Sequence, residues 1–309
     1  MVVEGEVRLP AAVKEAVELL AGQIRQEPLA QSSSVAMNTA KLLRAVVSAL
    51  ALNGEEICVV GLRQVGRVLY EASPLVFVVE NTVRRVLRIV REAFELARQS
   101  AQTKIAEKVY TDENETEDSP DLDSMMSSKK AQTELNQEAR KEIMELIDEH
   151  SSEIETASDS IIEQAVGHIH AKEVILTYGG SKTVELFLLE AAKKRKYEVI
   201  VVENAPSCDG HKLAKTLAIE GGLDVTLIPD STVFAIMSRV HKVILGTHAI
   251  MANGALIASC GTHLTVAAAK FHAKPVVVVA GLYKLTPGFP HDRDALNVTL
   301  SPAAVVPYR

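Results

Sequence analysis

The chain has 309 residues, 47% of them hydrophobic and 4% aromatic, with a formal net charge of -7. That length can bury at least one full core and favours two domains over one, while the acidic balance supplies no general field for nucleic acid or for an anionic membrane surface. Cys58, Cys208 and Cys260 are far apart and form no CxxC pair, so they read as buried thiols in a reducing, cytosolic compartment. Glu4, Glu6, Glu15 and Glu18 among short apolar runs fit neither a signal nor a transit peptide, and the longest apolar run falls far short of the ~20 residues of a membrane span.

Residues 1–100 are read as a helical domain. Val83, Val86, Leu87, Val90, Phe94 and Ala97 recur at the i, i+3, i+4, i+7 spacing of one helical stripe, as does the stretch from Ser32 to Leu50. Pro28 and Pro74 interrupt the pattern, because proline lacks an amide proton and restricts its predecessor, so several short helices packed as a bundle are expected. Residues 101–130 hold Asp112, Glu113, Glu115, Glu117, Asp118, Asp121 and Asp123 among Ser and Asn, too little apolar surface to offset ordering entropy. A mobile acidic insertion is expected there. Residues 131–172 regain helical periodicity through Ile143, Leu146, Ile147, Ile154, Ile161, Ile162 and Val166 and read as connecting helices.

From 173 to 309 the pattern becomes α/β: the apolar runs Val174–Thr177, Val199–Val202, Val225–Ile228, Val243–Leu245 and Val276–Val279 alternate with helix-length segments. Val and Ile runs without polar alternation suit strands covered on both faces. The expectation is a doubly wound, Rossmann-like parallel sheet whose functional loops begin at Tyr178, Glu203, Asp230, Gly246 and Ala280, the carboxyl ends of the strands.

Those loops carry no complete catalytic motif. Tyr178-Gly179-Gly180-Ser181-Lys182-Thr183 satisfies neither the Walker nor the GxGxxG pattern, and a tight strand-to-helix turn capped by Ser181 accounts for it. His168 and His170 would point about 200° apart on a helix, and no carboxylate or cysteine stands beside the histidines, including His211, His248 and His263, at a recognised zinc spacing. No GxSxG elbow or nucleophile–His–acid set appears. No catalytic residue, metal or cofactor is therefore expected. Arg84, Arg85, Arg88 and Arg91 form either a recognition face or an ordinary solvated one, and Lys193-Lys194-Arg195-Lys196 complements a helix C-terminus.

The segments at these loops carry a family resemblance. Thr183-Val184-Glu185 with Phe187, Glu190 through Lys196, Ala205-Pro206, Gly210-His211, Phe234 through Val240, Ile244 through Thr247, Ala252-Asn253-Gly254-Ala255-Leu256, Gly261-Thr262-His263, and Lys284-Leu285 with Phe289-Pro290 resemble the β-type regulatory subunits of eukaryotic translation initiation factor 2B. Val83 through Leu87, Ile89 and Arg91-Glu92 agree in the helical half. The resemblance implies a non-catalytic, cytoplasmic subunit of the guanine nucleotide exchange factor for initiation factor 2, assembling with α, δ, γ and ε subunits and sensing phosphorylated factor 2 through its α subunit. It also implies a δ contact around His170, Lys172, Val174, Glu198 and Ile200, and a factor 2 contact at Arg84, Arg85 and Arg88. For Val174 and Ile200, burial in their own sheet remains an equal reading of the residues. Against the family's pattern, the chain stops short of a C-terminal strand and helix, so part of the last layer is expected to be missing.

The fold so implied is similar to that of methylthioribose-1-phosphate and ribose-1,5-bisphosphate isomerases, which supplies the alternative function, an aldose–ketose isomerase. Its acid/base pair would fall at Gly179 and His248, and its phosphate-gripping arginine at Ala205. Glycine transfers no proton and alanine makes no charge-assisted contact to phosphate, so the chemistry disfavours an enzyme.

Overall fold

The helical pattern breaks where the two prolines predict. In the computed structural model, which describes residues 2–3, 6–26, 32–111, 129–289, 296 and 305–306, α1 (Ala11–Gln26) gives way to α2 (Ser32–Leu50), and α3 (Glu55–Ala72) to α4 (Phe77–Thr111). Two short strands that the sequence did not suggest, β1 (Val2–Val3) and β2 (Glu6–Val7), pair antiparallel before α1. Helix α4 is not short, and it continues past Gln99, because residues 100–111 contain neither glycine nor proline and hold several good helix formers. Of the expected acidic insertion at 101–130, residues 112–128 lie outside the described residues. A further helix, α5 (Lys129–Glu163), follows.

The chain divides into two compact units, Met1–Glu153 and Ile154–Arg309. In the first, the apolar stripes of α1 to α4 and the first part of α5 meet in one core around Leu43, Leu62, Leu69, Val86, Phe94, Ile143 and Ile147. Arg44 on α2 reaches Asp148 on α5 with Nε and Nη2 at 2.6 and 2.9 Å, and Asn136 donates to the carbonyl of Leu52 at 3.0 Å. The stretch Ser32–Asn53 is apolar and long enough to cross a membrane, but half of it is buried within the protein; Leu43, Val46 and Val47 are part of the core.

In the second unit, α6 (Ala165–His168) precedes β3 (Val174–Tyr178), α7 (Lys182–Lys194), β4 (Glu198–Val202), α8 (Asp209–Ile219), β5 (Asp224–Ile228), α9 (Val233–Ile236), β6 (Lys242–Gly246), the small antiparallel pair β7 (Ala249–Ile250) and β8 (Leu256–Ile257), α10 (Thr262–Phe271) and β9 (Val276–Val279). The five longer strands coincide with the apolar runs of the sequence and form one parallel sheet in the order β5-β4-β3-β6-β9. Successive side chains leave a strand on opposite faces. Ile175, Val199, Val201 and Ile244 therefore pack under α7 and α8 with Val184, Phe187, Leu188 and Leu217. Leu176, Ile200, Val202, Val243 and Leu245 pack on the other face with Val233, Met237, Ala268 and Ala269. The chain runs outward from β3 through β4 to β5, then returns to build β6 and β9 on the other side, which opens a crevice at the carboxyl ends of β3 and β6.

The cysteines are not uniformly buried, contrary to the sequence expectation. Cys58 is inside α3, where burial and then the nearby Glu55 push its thiol up to about 12. Cys208 is half-buried and Cys260 exposed, because each stands in a loop that begins a helix.

Replacing Leu62, wholly buried at 0% exposure, by alanine should lower stability by about 2–5 kcal/mol through lost burial and a residual cavity. The exposed Ile219→Ala should change it by no more than ~0.5 kcal/mol. Urea unfolding of both variants measures the difference.

Candidate functional site

Because both faces of the sheet are filled with apolar side chains, polar groups of the second unit collect at its two ends. At the carboxyl end, Gly179 follows β3 with φ +64° and donates its N–H to the carbonyl of Val202 at 3.2 Å. Ala205 follows β4 and its N–H donates to Oδ2 of Asp230 at 2.9 Å, leaving only a methyl group where the isomerase reading requires an arginine. His248 follows β6. Burial first, and then the nearby Lys284 ammonium, push its imidazole pKa down, so the ring is neutral at pH 7. The structure thus gathers Gly179, Ala205 and His248 at the one end of the sheet, as the topology requires, without an acid/base pair or a phosphate grip made from those three.

The protein's own side chains occupy that crevice. Tyr178, the last residue of β3, is buried, and its hydroxyl occupies space beside Gly261: a Cβ at that position would stand 2.0 Å from it, and the φ of +89° there also favours glycine. Burial, and then the adjoining Asp230 carboxylate, raise the Tyr178 phenol well above its usual range. Ser181 opens α7 as expected, but its hydroxyl makes no capping bond to the helix; the turn is closed by Glu185 N donating to the Ser181 carbonyl at 2.9 Å. Lys284, which the sequence offered only as part of a family segment, is buried at 5% exposure and donates to the Thr247 carbonyl at 2.8 Å. Burial lowers its ammonium pKa to about 8.

At the amino end lie the residues assigned to the δ contact. Val174 and Glu198 are register partners on β3 and β4, and Lys172, in a left-handed turn at φ 63°, donates its N–H to the Lys196 carbonyl at 2.9 Å. His170 is exposed, with Nδ1 2.9 Å from Nη1 of Arg195. Glu173 accepts the His170 N–H at 2.9 Å and pairs with Lys242 at 3.3 Å. Val174 and Glu198 are half-buried. Ile200 differs from them: it is 1% exposed inside the sheet's own core, the alternative that the residues left open, and its side chain reaches no outer surface. His168 is the last residue of α6 and His170 lies beyond its end, so the helical spacing argument does not apply to this pair; the His168 ring is 6.4 Å from that of Phe187.

In the first unit, Arg84, Arg85 and Arg88 are all exposed on α4. Arg84 pairs with Glu80 at 2.5 Å and Arg88 with Glu92 at 2.6 Å, both four residues apart, while Arg85 has no ion pair among the described residues. Exposed pairs of this kind are screened by solvent and contribute little, so they hold the guanidinium groups loosely. The sequence did not single out a further surface feature, in which Phe234 on α9 and Phe271 on α10 are 50% and 73% exposed with ring centroids 5.1 Å apart. Exposed aromatic clusters are common in association surfaces, but no periodic signal separates these two from core residues.

Comparison with known proteins agrees with this arrangement. The profile of the initiation factor 2 subunit family matches residues 30–309. The chain is 36% identical over 316 aligned residues to the translation initiation factor eIF2B subunit beta of Dictyostelium discoideum, covering 90% of this chain and 79% of that protein. Among solved structures it is similar to eIF2B beta from Chaetomium thermophilum, at a TM-score of 0.76 and 28% identity over 92% of this chain and 82% of that one. It is similar also to a chain of the tetrameric eIF2B-beta2-delta2 complex from the same organism, at 0.72 and 28% over 92% and 83%.

The Glu173 cluster yields a pH test. Burial opposes the carboxylate's charge, but the His170 N–H and the Lys242 ammonium outweigh it and hold the pKa below the ordinary 4.5. A pKa lower in the folded than in the unfolded chain adds stability that is complete at neutral pH and is lost as pH falls from 4.5 through the folded value. Glu173→Gln should therefore be less stable than the wild type at pH 7, and its denaturation midpoint should fall less on acidification below 4.5.

Proposed function

The chain belongs to the initiation factor 2 subunit family, as a non-catalytic, β-type regulatory subunit of the eIF2B exchange factor for translation initiation factor 2, and from that premise we propose how it engages its partners. The observation that carries the assignment is the likeness to β-type subunits running through both units, over 90% of the chain. Within the eIF2B assembly it associates with a δ-type subunit. We assign that contact to the amino end of the sheet, through His170, Lys172, Val174 and Glu198, with Ile200 supporting the strand from inside. Its working compartment is the cytoplasm, where the other proposed partners, the α, γ and ε subunits and factor 2, also act.

The second contact we assign to Arg84, Arg85 and Arg88, facing the α subunit of phosphorylated factor 2. The exposure of all three supports this reading, as does the weakness of the pairs that hold two of them, since guanidinium groups recognise phosphate and carboxylate in a forked geometry. The three positions share one side of α4, because residues three and four apart on a helix are neighbours. A sugar-phosphate isomerase needs chemical groups that Gly179, Ala205 and His248 do not supply together.

Two measurements test these contacts. Glu198→Arg should leave the melting temperature of the free chain unchanged and weaken capture of a δ subunit, with an altered salt dependence as expected for a rim charge. Ile200→Asp, by contrast, should unfold the chain. Indistinguishable δ binding by a folded Glu198→Arg across salt concentrations would place the contact elsewhere. In the reconstituted exchange factor, reversing all three arginines to glutamate should reduce binding of phosphorylated factor 2 at least about tenfold while the complex still assembles; unchanged binding would remove these residues from that surface.

A further inference from the structure

The loop between β4 and α8 is tied closely to the strand it leaves. Glu203 N donates to the Ile228 carbonyl at 3.0 Å, Cys208 N to that of Asn204 at 2.8 Å, Gly210 N to that of Glu203 at 3.1 Å, and His211 N to that of Cys208 at 3.1 Å. Gly210 permits the closure, since a Cβ there would stand 2.3 Å from the Val202 carbonyl oxygen and 2.9 Å from the Glu203 Cα. The first turn of α8 therefore rests on the end of β4. This packing brings together three different donors that the sequence separates: one carboxylate oxygen of Glu203, the thiol of Cys208 and one ring nitrogen of His211 all lie within 4.8 Å of one another. Oε2 of Glu203 is 3.5 Å from Nε2 of His211.

We propose that Glu203, Cys208 and His211 bind a zinc ion. A tetrahedral Zn2+ with bonds of about 2.0–2.3 Å holds its ligand atoms roughly 3.2–3.8 Å apart; the Glu203–His211 separation of 3.5 Å already falls in that range, and all three donors lie within 4.8 Å. A thiolate and an imidazole in one set select zinc over the oxygen-seeking Mg2+ and Ca2+. The charge balances, because one carboxylate and one thiolate neutralise a divalent cation. Three protein ligands leave the fourth position to water or to a group from a binding partner. The metal joins the end of β4 to the first turn of α8, so it stiffens the rim of the crevice beside Ala205. Binding displaces the Cys208 proton, and affinity therefore rises with pH.

The test uses the full chain, treated with chelator and titrated with Co2+ alone as the spectroscopic substitute. One equivalent should bind and produce a thiolate-to-cobalt charge-transfer absorption in the near ultraviolet, and added Zn2+ should displace it and raise the melting temperature. Cys208→Ser should abolish the absorption, and His211→Ala, an exposed position whose loss leaves the fold intact, should weaken binding at least about tenfold. Cys260→Ser should change neither. Binding of Co2+ without the thiolate absorption, no binding at all, or an unaltered titration in His211→Ala would each overturn the assignment.

Discussion

The second unit depends on one constraint: its sheet is parallel, and the inner strands β4, β3 and β6 must be covered on both faces, while the edge strand β5 stays largely exposed. Strand positions in the middle of the sheet are consequently apolar on either face, with the small buried Thr177 as the exception. Ile175 and Val199 pack under α7 and α8 while Leu176 and Ile200 pack on the opposite side. No ionisable group is tolerated between them. The polar chemistry of the unit is expelled to the two ends of the strands, and this separation gives the protein two polar edges, a crevice at the carboxyl end and a charged rim at the amino end.

The crevice shows a topology present without the chemical groups it could host. The topology still opens a cleft at the carboxyl ends of β3 and β6, where α/β sheets bind their ligands. In this chain Tyr178 reaches across to Gly261, the Ala205 N–H is satisfied by Asp230, and the buried Lys284 is bonded to the Thr247 carbonyl. Those polar groups are engaged in holding loops together. Such internal satisfaction suits a subunit whose task is to keep a shape for other proteins to bind. The amino end is built differently: Glu173, Lys242, His170 and Arg195 bind one another at or near the surface, leaving a rim of charge around the half-buried Val174 and Glu198.

The helical unit follows the same physical logic with a different period. Residues three and four apart form the core stripe of α4, from Val83 through Phe94 to Ala97, and the intervening positions become a solvated face. Arg84 and Arg88 on that face are held by glutamates one turn away, which lets the helix carry several guanidinium groups without strong self-repulsion.

Periodicity and β-branched composition alone determined the helical first half, the five strands of the sheet and the loops that would line its crevice, because each of these depends on residues close together in the chain. The prolines likewise placed the breaks between α1 and α2 and between α3 and α4. Only the tertiary structure decided what depends on contacts between distant segments. It placed Ile200 inside the core, because the direction of a side chain in a parallel sheet depends on what covers each face. It left Cys260 exposed, because loop burial depends on packing that no local pattern records. It exposed Phe234 and Phe271 side by side, a pairing that no local pattern marks. And it brought Glu203, Cys208 and His211 together, a grouping invisible as spacing because it is made by a loop folding back onto the strand it has just left.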